Sequence, residues 1–325
     1  MEWEKRSVES MGITKISVIM LTYNREAFVP RAIESVLAQT LIDFEFIIID
    51  NGSTDSSGKI ADDYSKKDSR IRVIHRTGGN IGSGRNAGLD IASGDYIAFI
   101  DDDDYCETDF LEFLYNLAKT HNADIATCGS RKEENGNVSP NGIYEYDELH
   151  IMSTETAMEN FIWRKLYNCA MPTKMVRRDL FNKGTFLETG KYDDVSTTYK
   201  YFVNAKRVVA YGLPKYTFYR HDGNNSNAAT KHHLLNSEQL FEYLKAYNER
   251  TLYIAEHLPS LIPLARYSEW SYMLSMIEKI NKFKLTNCNE PLEFMKKEIH
   301  KNLDEFLGGG FILKFEKEWV SRYLL

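Results

Sequence analysis

The chain predicts an α/β protein built on a doubly wound, mostly parallel sheet. Along its first 128 residues, short apolar runs alternate with segments whose apolar residues recur at helical spacing. Polar clusters directly follow three of the apolar runs, at positions 22–24, 50–55 and 101–104. Ligands bind at the carboxyl ends of the strands in such sheets, so these clusters are expected to gather at one edge.

Each element is predicted from apolar spacing and turn residues. The expected strands are 16–21, 46–50, 71–75, 96–100 and 124–128. The expected helices are centred on 29–37, 60–64, 85–92 and 108–117. The glycine-rich segment 78–84 is interpreted as a loop. It follows the third strand and its glycine spacing departs from the dinucleotide-binding fingerprint, and no GxxxxGK[ST] sequence occurs.

The pattern changes after position 129. Residues 131–147 are polar and contain two glycines, which predicts a long loop or a hairpin. Helical spacing returns at 157–166, and amphipathic faces beyond 228 predict a helical C-terminal extension. The expected division is an N-terminal tail (1–13), two halves of one domain (14–129 and 130–228) and the extension (229–325).

Composition and charge exclude several classes of function. The formal net charge is −7 and no basic stripe is visible, so a nucleic-acid partner is not expected. The four cysteines lie far apart, which disfavours a zinc site or a disulfide framework and fits a reducing cytoplasm. Neither a secretion signal nor a membrane span is predicted. We expect a cytoplasmic protein, with peripheral contact at the inner face of a membrane as an alternative.

Four consecutive aspartates follow the fourth predicted strand. Their mutual repulsion raises the cost of keeping all four ionised, and a divalent cation would relieve it. Alternate side chains of an extended segment point the same way, so Asp101 and Asp103 could reach one ion. Carboxylate oxygens suit Mg²⁺ or Mn²⁺ bridged to a diphosphate. The alternative is a solvated acidic turn, with Asp104 near the positive end of the next helix; the position after a buried strand favours the metal.

Other polar positions admit both a binding and a structural interpretation. Asp50 could accept a hydrogen bond from a pyrimidine N3–H, or form the turn that Asp-Asn-Gly-Ser favours. Arg85 could contact a donor or lie on the surface, and His221 could contact phosphate or metal or be structural. Asp193 and Asp194 could supply a general base for an acceptor hydroxyl, or begin a helix with acidic residues.

Together these segments resemble the inverting glycosyltransferases of family 2, of the type that builds bacterial polysaccharides and glycans. The matching stretches, in the order and spacing of that family, are Ser17–Asn24, Ile49–Asp55, Asn80–Gly82, Arg85–Gly88 and Gly94–Asp104. The resemblance covers roughly residues 14–228 and is strongest up to about 128. It implies the GT-A fold, with a donor-binding half (14–129), an acceptor-binding half (130–228) and an extension that the resemblance does not cover.

The resemblance also implies a set of site residues. Those implied for the donor are Thr22, Tyr23, Asn24, Asp50, Asn80, Arg85, Asp101, Asp102 and Asp104. Within this set, Thr22 and Tyr23 would line the nucleoside pocket, and Asp104 would lie near the donor sugar. Asp101-x-Asp103 matches the family's metal-binding DxD motif, with Asp103 favoured as the direct ligand; apart from the resemblance, His221 is a further metal candidate. Asp194 takes the position of the catalytic base, beside Asp193, where the family usually has Glu.

The implied reaction moves a sugar from a nucleotide-diphosphate donor, expected to be a UDP-sugar, to a hydroxyl of an acceptor. The acceptor would be a glycan or a lipid-linked or protein-linked molecule. Mn²⁺ or Mg²⁺ would neutralise the leaving diphosphate, and Asp194 would take the hydroxyl proton as the anomeric carbon inverts. The C-terminal region is expected to pack on this domain, to form a homodimer or to contact a membrane surface.

Two alternatives belong to other classes of protein. A nucleotidyltransferase would carry a glycine-rich, basic loop after the first strand, where this chain has Thr-Tyr-Asn-Arg-Glu at 22–26. A non-catalytic protein that binds nucleotides or sugars would not need Asp101, Asp103 and Asp194 together. Release of UDP from a UDP-sugar would separate the three possibilities.

Overall fold

One sheet runs through the molecule. The computed structural model describes residues 14–183, 186–224 and 231–325, so the predicted tail 1–13 lies outside the described residues. In chain order, the strands are β1 (Ile16–Thr22), β2 (Phe44–Asp50), β3 (Ile71–His75), β4 (Tyr96–Asp101), β5 (Tyr105–Cys106), β6 (Ile125–Glu134), β7 (Asn137–Val138), β8 (Leu149–Ser153), β9 (Lys174–Arg177) and β10 (Arg207–Arg220). Across the sheet they run β3-β2-β1-β4-β9-β6-β10-β5, with β7 beside β6 and β8 beside β10.

The helices follow the predicted alternation and then dominate the C-terminal third. In chain order they are α1 (Val29–Leu37), α2 (Ser57–Ser65), α3 (Ile81–Ile91), α4 (Phe110–Thr120), α5 (Thr154–Trp163), α6 (Asp193–Asn204), α7 (Ser237–His257), α8 (Ile262–Phe283), α9 (Asn289–Lys301), α10 (Leu303–Gly308) and α11 (Lys314–Tyr323). Short 3-10 helices span Met171–Thr173, Arg178–Lys183, His232–Leu234, Pro259–Leu261 and Thr286–Cys288.

The prediction of a doubly wound, mostly parallel sheet is confirmed. Strands β1, β2, β3 and β4 pair in parallel, and β6 pairs in parallel with β10. Strand β9 runs antiparallel between β4 and β6. Helices cover both faces, which is why β1 is buried along almost its whole length.

Alternate residues of β1 contribute to two apolar layers, one on each face of the sheet. Val18 and Met20 pack on one side with α1, whose buried Val29, Ile33 and Val36 lie on one helical face. Ile19 faces the other layer, which includes buried residues of α5, α6 and the C-terminal helices. The sheet therefore separates two cores, and its edge at the carboxyl ends of the parallel strands remains open for the polar clusters.

Helix α3 begins earlier than the sequence predicted. A loop was expected up to residue 84, but the helix starts at Ile81, with Asn80 as its N-cap residue. Gly82 lies in the first turn of this helix. Only glycine fits there, because a side-chain methyl group would overlap the carbonyl oxygen of Leu187. Gly88 lets the same helix approach the side chain of Ile19. These glycines thus serve close packing of a helix and not a phosphate-binding loop.

The C-terminal extension packs on the rest of the chain. Helix α7 lies against α6, and α8 lies against α5, so the extension covers the second half of the sheet domain. Trp270 and Ile277 of α8 belong to the same buried cluster as Phe202 of α6. Helix α11 is tied to α8 because Tyr267 and Ser271 both donate hydrogen bonds to Glu316. Among the described residues, no helix is long and apolar enough to cross a membrane.

Candidate active site

The three polar clusters meet at one edge of the sheet, as predicted. In the pairing of β1 with β2, Thr22 lies opposite Asp50. In the pairing of β1 with β4, Leu21 lies opposite Asp101, so Thr22 is next to the start of the aspartate run. The parallel register alone therefore places the ends of β1, β2 and β4 side by side.

The loop after β1 is tied to the loop after β2. Asn24 adopts a left-handed conformation (φ 53°), and its side-chain oxygen accepts a hydrogen bond from the N–H of Thr54 at 2.8 Å. Its own N–H donates to the Ser53 hydroxyl at 3.1 Å. The side chain of Asn24 thus joins two loops, and a contact with the donor stays a prediction. Tyr23, by contrast, is 56% exposed, and its ring is free to stack on a planar ligand.

Asp50 lies buried at the end of β2, with both carboxylate oxygens engaged. One accepts the N–H of Ser53 at 2.9 Å, and the other lies 2.9 Å from Nδ1 of His75. Burial alone would raise the pKa of Asp50, but the hydrogen bonds from Ser53 and His75 lower it. His75 was not among the predicted site residues, although it ends the strand next to Asp50 and pairs with it directly.

The first three members of the aspartate run face different partners. Asp101 lies 3.7 Å from the Arg85 guanidinium. Asp102 accepts the N–H of Tyr23 at 3.3 Å, and burial followed by the charge of Asp103 raises its pKa to about 8. One oxygen of Asp103 lies 2.9 Å from Nε2 of His221. The run is therefore not a fully solvated turn, since the side chains of Asp102 and Asp103 are only 14% and 13% exposed.

The fourth member, Asp104, is 3% exposed and points into the sheet. Its carboxylate accepts the Tyr216 hydroxyl at 2.9 Å and the N–H of Tyr219 at 2.8 Å. The same hydroxyl also accepts the N–H of Asp101 at 3.0 Å, so Tyr216 fixes both ends of the run. Both Asp104 oxygens are already paired, and a position near the donor sugar stays a prediction.

Asn80, the N-cap residue of α3, and Arg85 within α3 connect the donor-side loops to the start of α6 and the segment before it. The side-chain oxygen of Asn80 caps α3 through the N–H of Ser83 at 2.8 Å. The Asn80 amide nitrogen donates to the Gly190 carbonyl at 3.2 Å. Arg85 forms a buried ion pair with Asp193 at 2.7 Å. Asn80 and Arg85 therefore hold the second half of the domain against the first.

Asp193 and Asp194 begin α6, as predicted, but their surroundings differ. Asp193 is 5% exposed and its carboxylate is paired with Arg85. Asp194 is partly exposed and makes no ion pair within the described residues. One of its oxygens accepts the Cys169 thiol at 3.6 Å, and burial raises the pKa of that thiol to about 12, so the thiol keeps its proton. Asp194 is thus the carboxylate of the pair that an acceptor could reach.

Lys174, the first residue of β9, is fully buried. Its ammonium donates to the Ala170 carbonyl and to the Thr173 hydroxyl. Burial lowers the pKa of Lys174 to about 8. It therefore supports the segment behind Asp194 from inside the protein.

The donor set fits a hard divalent cation that also binds a diphosphate. No group of three His, Cys, Asp or Glu side chains converges as a metal site in the part of the chain that the structure describes. Mg²⁺ in nucleotide sites commonly takes one or two carboxylates and completes its shell with phosphate oxygens and water. Asp101, Asp103 and His221 supply two carboxylates and an imidazole at one edge, with an Asp103 oxygen 2.9 Å from Nε2 of His221.

Comparison with known proteins identifies the family. The family model described as glycosyl transferase family 2 matches residues 17–185. EpsJ of Bacillus subtilis (strain 168), described as an uncharacterized glycosyltransferase, is 36% identical over 185 residues, which is 54% of this chain and 51% of EpsJ. The chain thus spans about half the length of that relative.

Two solved structures share the fold. S. aureus TarS 1–349 in complex with UDP-GlcNAc has a TM-score of 0.67 and 19% identity, covering 91% of this chain and 89% of TarS. The mannosyltransferase PcManGT from Pyrobaculum calidifontis, in complex with GDP-Man and Mn²⁺, has a TM-score of 0.55 and 12% identity, covering 95% of this chain and 84% of PcManGT. The family match covers just over half of the 325 residues, and the chain therefore belongs to glycosyl transferase family 2 and has the GT-A fold.

Proposed function

We propose that the protein transfers a sugar from a UDP-sugar to a hydroxyl of an acceptor, with inversion at the anomeric carbon. One observation carries the proposal. The Arg85 guanidinium lies 3.7 Å from Asp101 and 2.7 Å from Asp193. One buried side chain therefore joins the DxD motif to the start of α6, where the proposed general base Asp194 lies. A donor diphosphate and an acceptor hydroxyl could therefore approach the same small region from opposite sides.

The donor would occupy the edge formed by β1, β2 and β4. Tyr23 offers an exposed ring on which the uracil could stack. Asp50 ends β2 beside it, and its carboxylate could accept a hydrogen bond from the uracil. TarS, which shares this fold, was solved with UDP-GlcNAc, and that complex supports a uridine nucleotide as the donor group here. The division into a donor half (14–129) and an acceptor half (130–228) follows from the same arrangement.

Asp103, Asp101 and His221 would hold the divalent cation. When bound, Mn²⁺ or Mg²⁺ neutralises the negative charge of the leaving diphosphate. PcManGT, another protein of this fold, was solved with Mn²⁺. Four consecutive carboxylates repel one another, and a divalent cation beside Asp101 and Asp103 would relieve that repulsion.

Asp194 would act as the general base. Its carboxylate takes the proton of the acceptor hydroxyl while that oxygen bonds to the anomeric carbon, and the bond to the diphosphate breaks on the opposite face. Asp193 cannot serve in this way without losing its ion pair with Arg85. The acceptor would be a glycan or a lipid-linked or protein-linked molecule, reached from the cytoplasm.

The experiment is a screen of UDP-sugars for release of UDP, with Mn²⁺ and with EDTA, alone and with glycan acceptors. We expect metal-dependent release of UDP, and its loss in Asp103→Asn. Pyrophosphate release from a nucleoside triphosphate and a sugar phosphate would instead indicate a nucleotidyltransferase. Tight binding of UDP-sugars with no turnover under any condition would indicate a binding protein and reject the proposal.

A further inference from the structure

A column of tyrosine rings stands beside Asp194, and most of it comes from the C-terminal extension. Tyr243 and Tyr247 lie four residues apart on one face of α7. The rings of Tyr247 and Tyr272 stack with centroids 4.3 Å apart, and those of Tyr243 and Tyr272 are 5.9 Å apart. Tyr192, which precedes α6, continues the column 4.5 Å from Tyr243.

The column reaches the proposed base. Tyr192, whose ring lies 4.5 Å from that of Tyr243, stands two residues before Asp194, and the negative charge of Asp194 adds to burial in raising the pKa of Tyr243. Within the described residues, the hydroxyls of Tyr243 and Tyr272 make no hydrogen bond. Both side chains are partly exposed. These hydroxyls are therefore available to a polyhydroxylated molecule bound along the column that starts next to Asp194.

Two guanidinium groups flank the same column. Arg164, directly after α5, adopts a left-handed conformation (φ 51°, ψ 43°) that is uncommon for a residue with a side chain. It is exposed, and it donates to the Tyr247 hydroxyl at 3.4 Å. The Arg250 guanidinium lies 4.3 Å from the centre of the same Tyr247 ring. The aromatic column is thus bounded by positive charge at this end.

Neither guanidinium has a carboxylate partner at ion-pair distance among the described residues. Arg250 is 7% exposed; it donates to the Ser268 hydroxyl at 2.8 Å, and its Nε has no partner there. The charge of Glu269 acts on Arg250 from farther away, while that carboxylate accepts a hydrogen bond from Asn248. A buried charge without a counterion is costly, so this end of the column favours an anion.

We infer that the tyrosine column and its two arginines bind the acceptor and select one that carries an anionic group, a phosphate or a carboxylate. The tyrosines would contact the sugar, and the exposed Arg164 would pair with the anion through its free N–H groups. Arg250, from inside the protein, would add positive charge behind Tyr247. The inference rests on the proposed function, because it takes Asp194 as the base. It gives the extension a direct part in the choice of acceptor.

The test uses the full chain with saturating UDP and Mg²⁺, so that the donor site is occupied. Saturation-transfer NMR would compare binding of glucose, glucuronate and glucose 6-phosphate. We expect the anionic probes to bind more tightly than glucose. Arg164→Gln should weaken their binding about 10- to 100-fold, as expected for a lost charge-assisted hydrogen bond, and leave glucose little changed. Lys165→Gln, which removes the neighbouring exposed cation, is the matched control and should have no effect.

The outcomes separate the two levels of the proposal. Absence of UDP binding in the wild-type protein would reject the proposed function itself. If UDP binds but glucose binds as well as both anions, or no probe binds, the acceptor inference is wrong. It is also wrong if Arg164→Gln keeps its melting temperature and its anion binding. Preference for glucose 6-phosphate or for glucuronate would assign the anion as phosphate or carboxylate.

Discussion

Arg85 and Asp193 form a buried ion pair at 2.7 Å that spans the two halves of the sheet domain. Arg85 lies on α3, beside the aspartate run, and Asp193 begins α6, directly before the proposed base. The Arg85 guanidinium also lies over the rings of Phe99 and Phe186, at 5.3 and 5.1 Å from their centres. Because planar stacking and a two-sided contact need a guanidinium, a lysine would not replace it.

The first prediction concerns this pair. Arg85→Gln leaves Asp193 buried without its cation, and we expect the free energy of unfolding to fall by about 3–5 kcal/mol. The double variant with Asp193→Asn should lose less than the sum of the single changes, as urea denaturation would measure. Lys59→Gln removes an exposed pair with Asp63 and should change nothing measurable. Additive losses in the double variant would show that the two side chains are not coupled.

The second prediction concerns the base. Asp194→Asn keeps the size and shape of the side chain but removes its basicity, so sugar transfer should fall about 10²- to 10⁴-fold. The affinity for UDP with Mn²⁺, measured by calorimetry, should change little because the proposed nucleotide site lies at the ends of β1, β2 and β4, away from Asp194. Asp193→Asn tests whether the base is Asp194 and not its neighbour. This change should lower stability as well as activity, because Asp193 pairs with Arg85. Transfer near the wild-type rate in Asp194→Asn would place the base elsewhere.

The third prediction concerns the metal. Because a diphosphate completes the shell of a Mg²⁺ or Mn²⁺ ion, the protein alone should bind either ion only weakly. The affinity for UDP should rise sharply when Mn²⁺ replaces EDTA, and Asp103→Asn should abolish most of that rise. Glu107→Gln, an exposed carboxylate in the same region, serves as the control. Equal UDP affinity with Mn²⁺ and with EDTA would reject the assignment of Asp101 and Asp103.

The fourth prediction concerns pH. The pKa of Asp102 is about 8 in the folded chain, against an ordinary value of 3.8. Between these values the folded state holds a proton that the unfolded state has released, so the free energy of unfolding falls as pH rises. In EDTA, the protein should therefore be less stable at pH 8 than at pH 5.5. Asp102→Asn should flatten this slope in denaturant titrations, and an unchanged slope would contradict the shift.

The sequence by itself determined the sheet and the place of the site. Apolar runs fix β1, β2 and β4 as buried parallel strands, and the parallel register brings Thr22, Asp50 and Asp101 to one edge. The order of the motifs likewise predicted the family, which the comparisons confirm. These features are local in the chain, or follow from strand direction alone.

Only the tertiary structure decided which polar side chains hold the site together. Asn24 and Asn80 engage backbone groups, and Asp104 engages Tyr216, 112 positions along the chain. The partner of a hydrogen-bonding side chain depends on which distant segments pack beside it, and residue type alone does not encode that. The same reason applies to Tyr243 and Tyr272, whose rings come together only because α7 packs on α6 and α8 packs on α7.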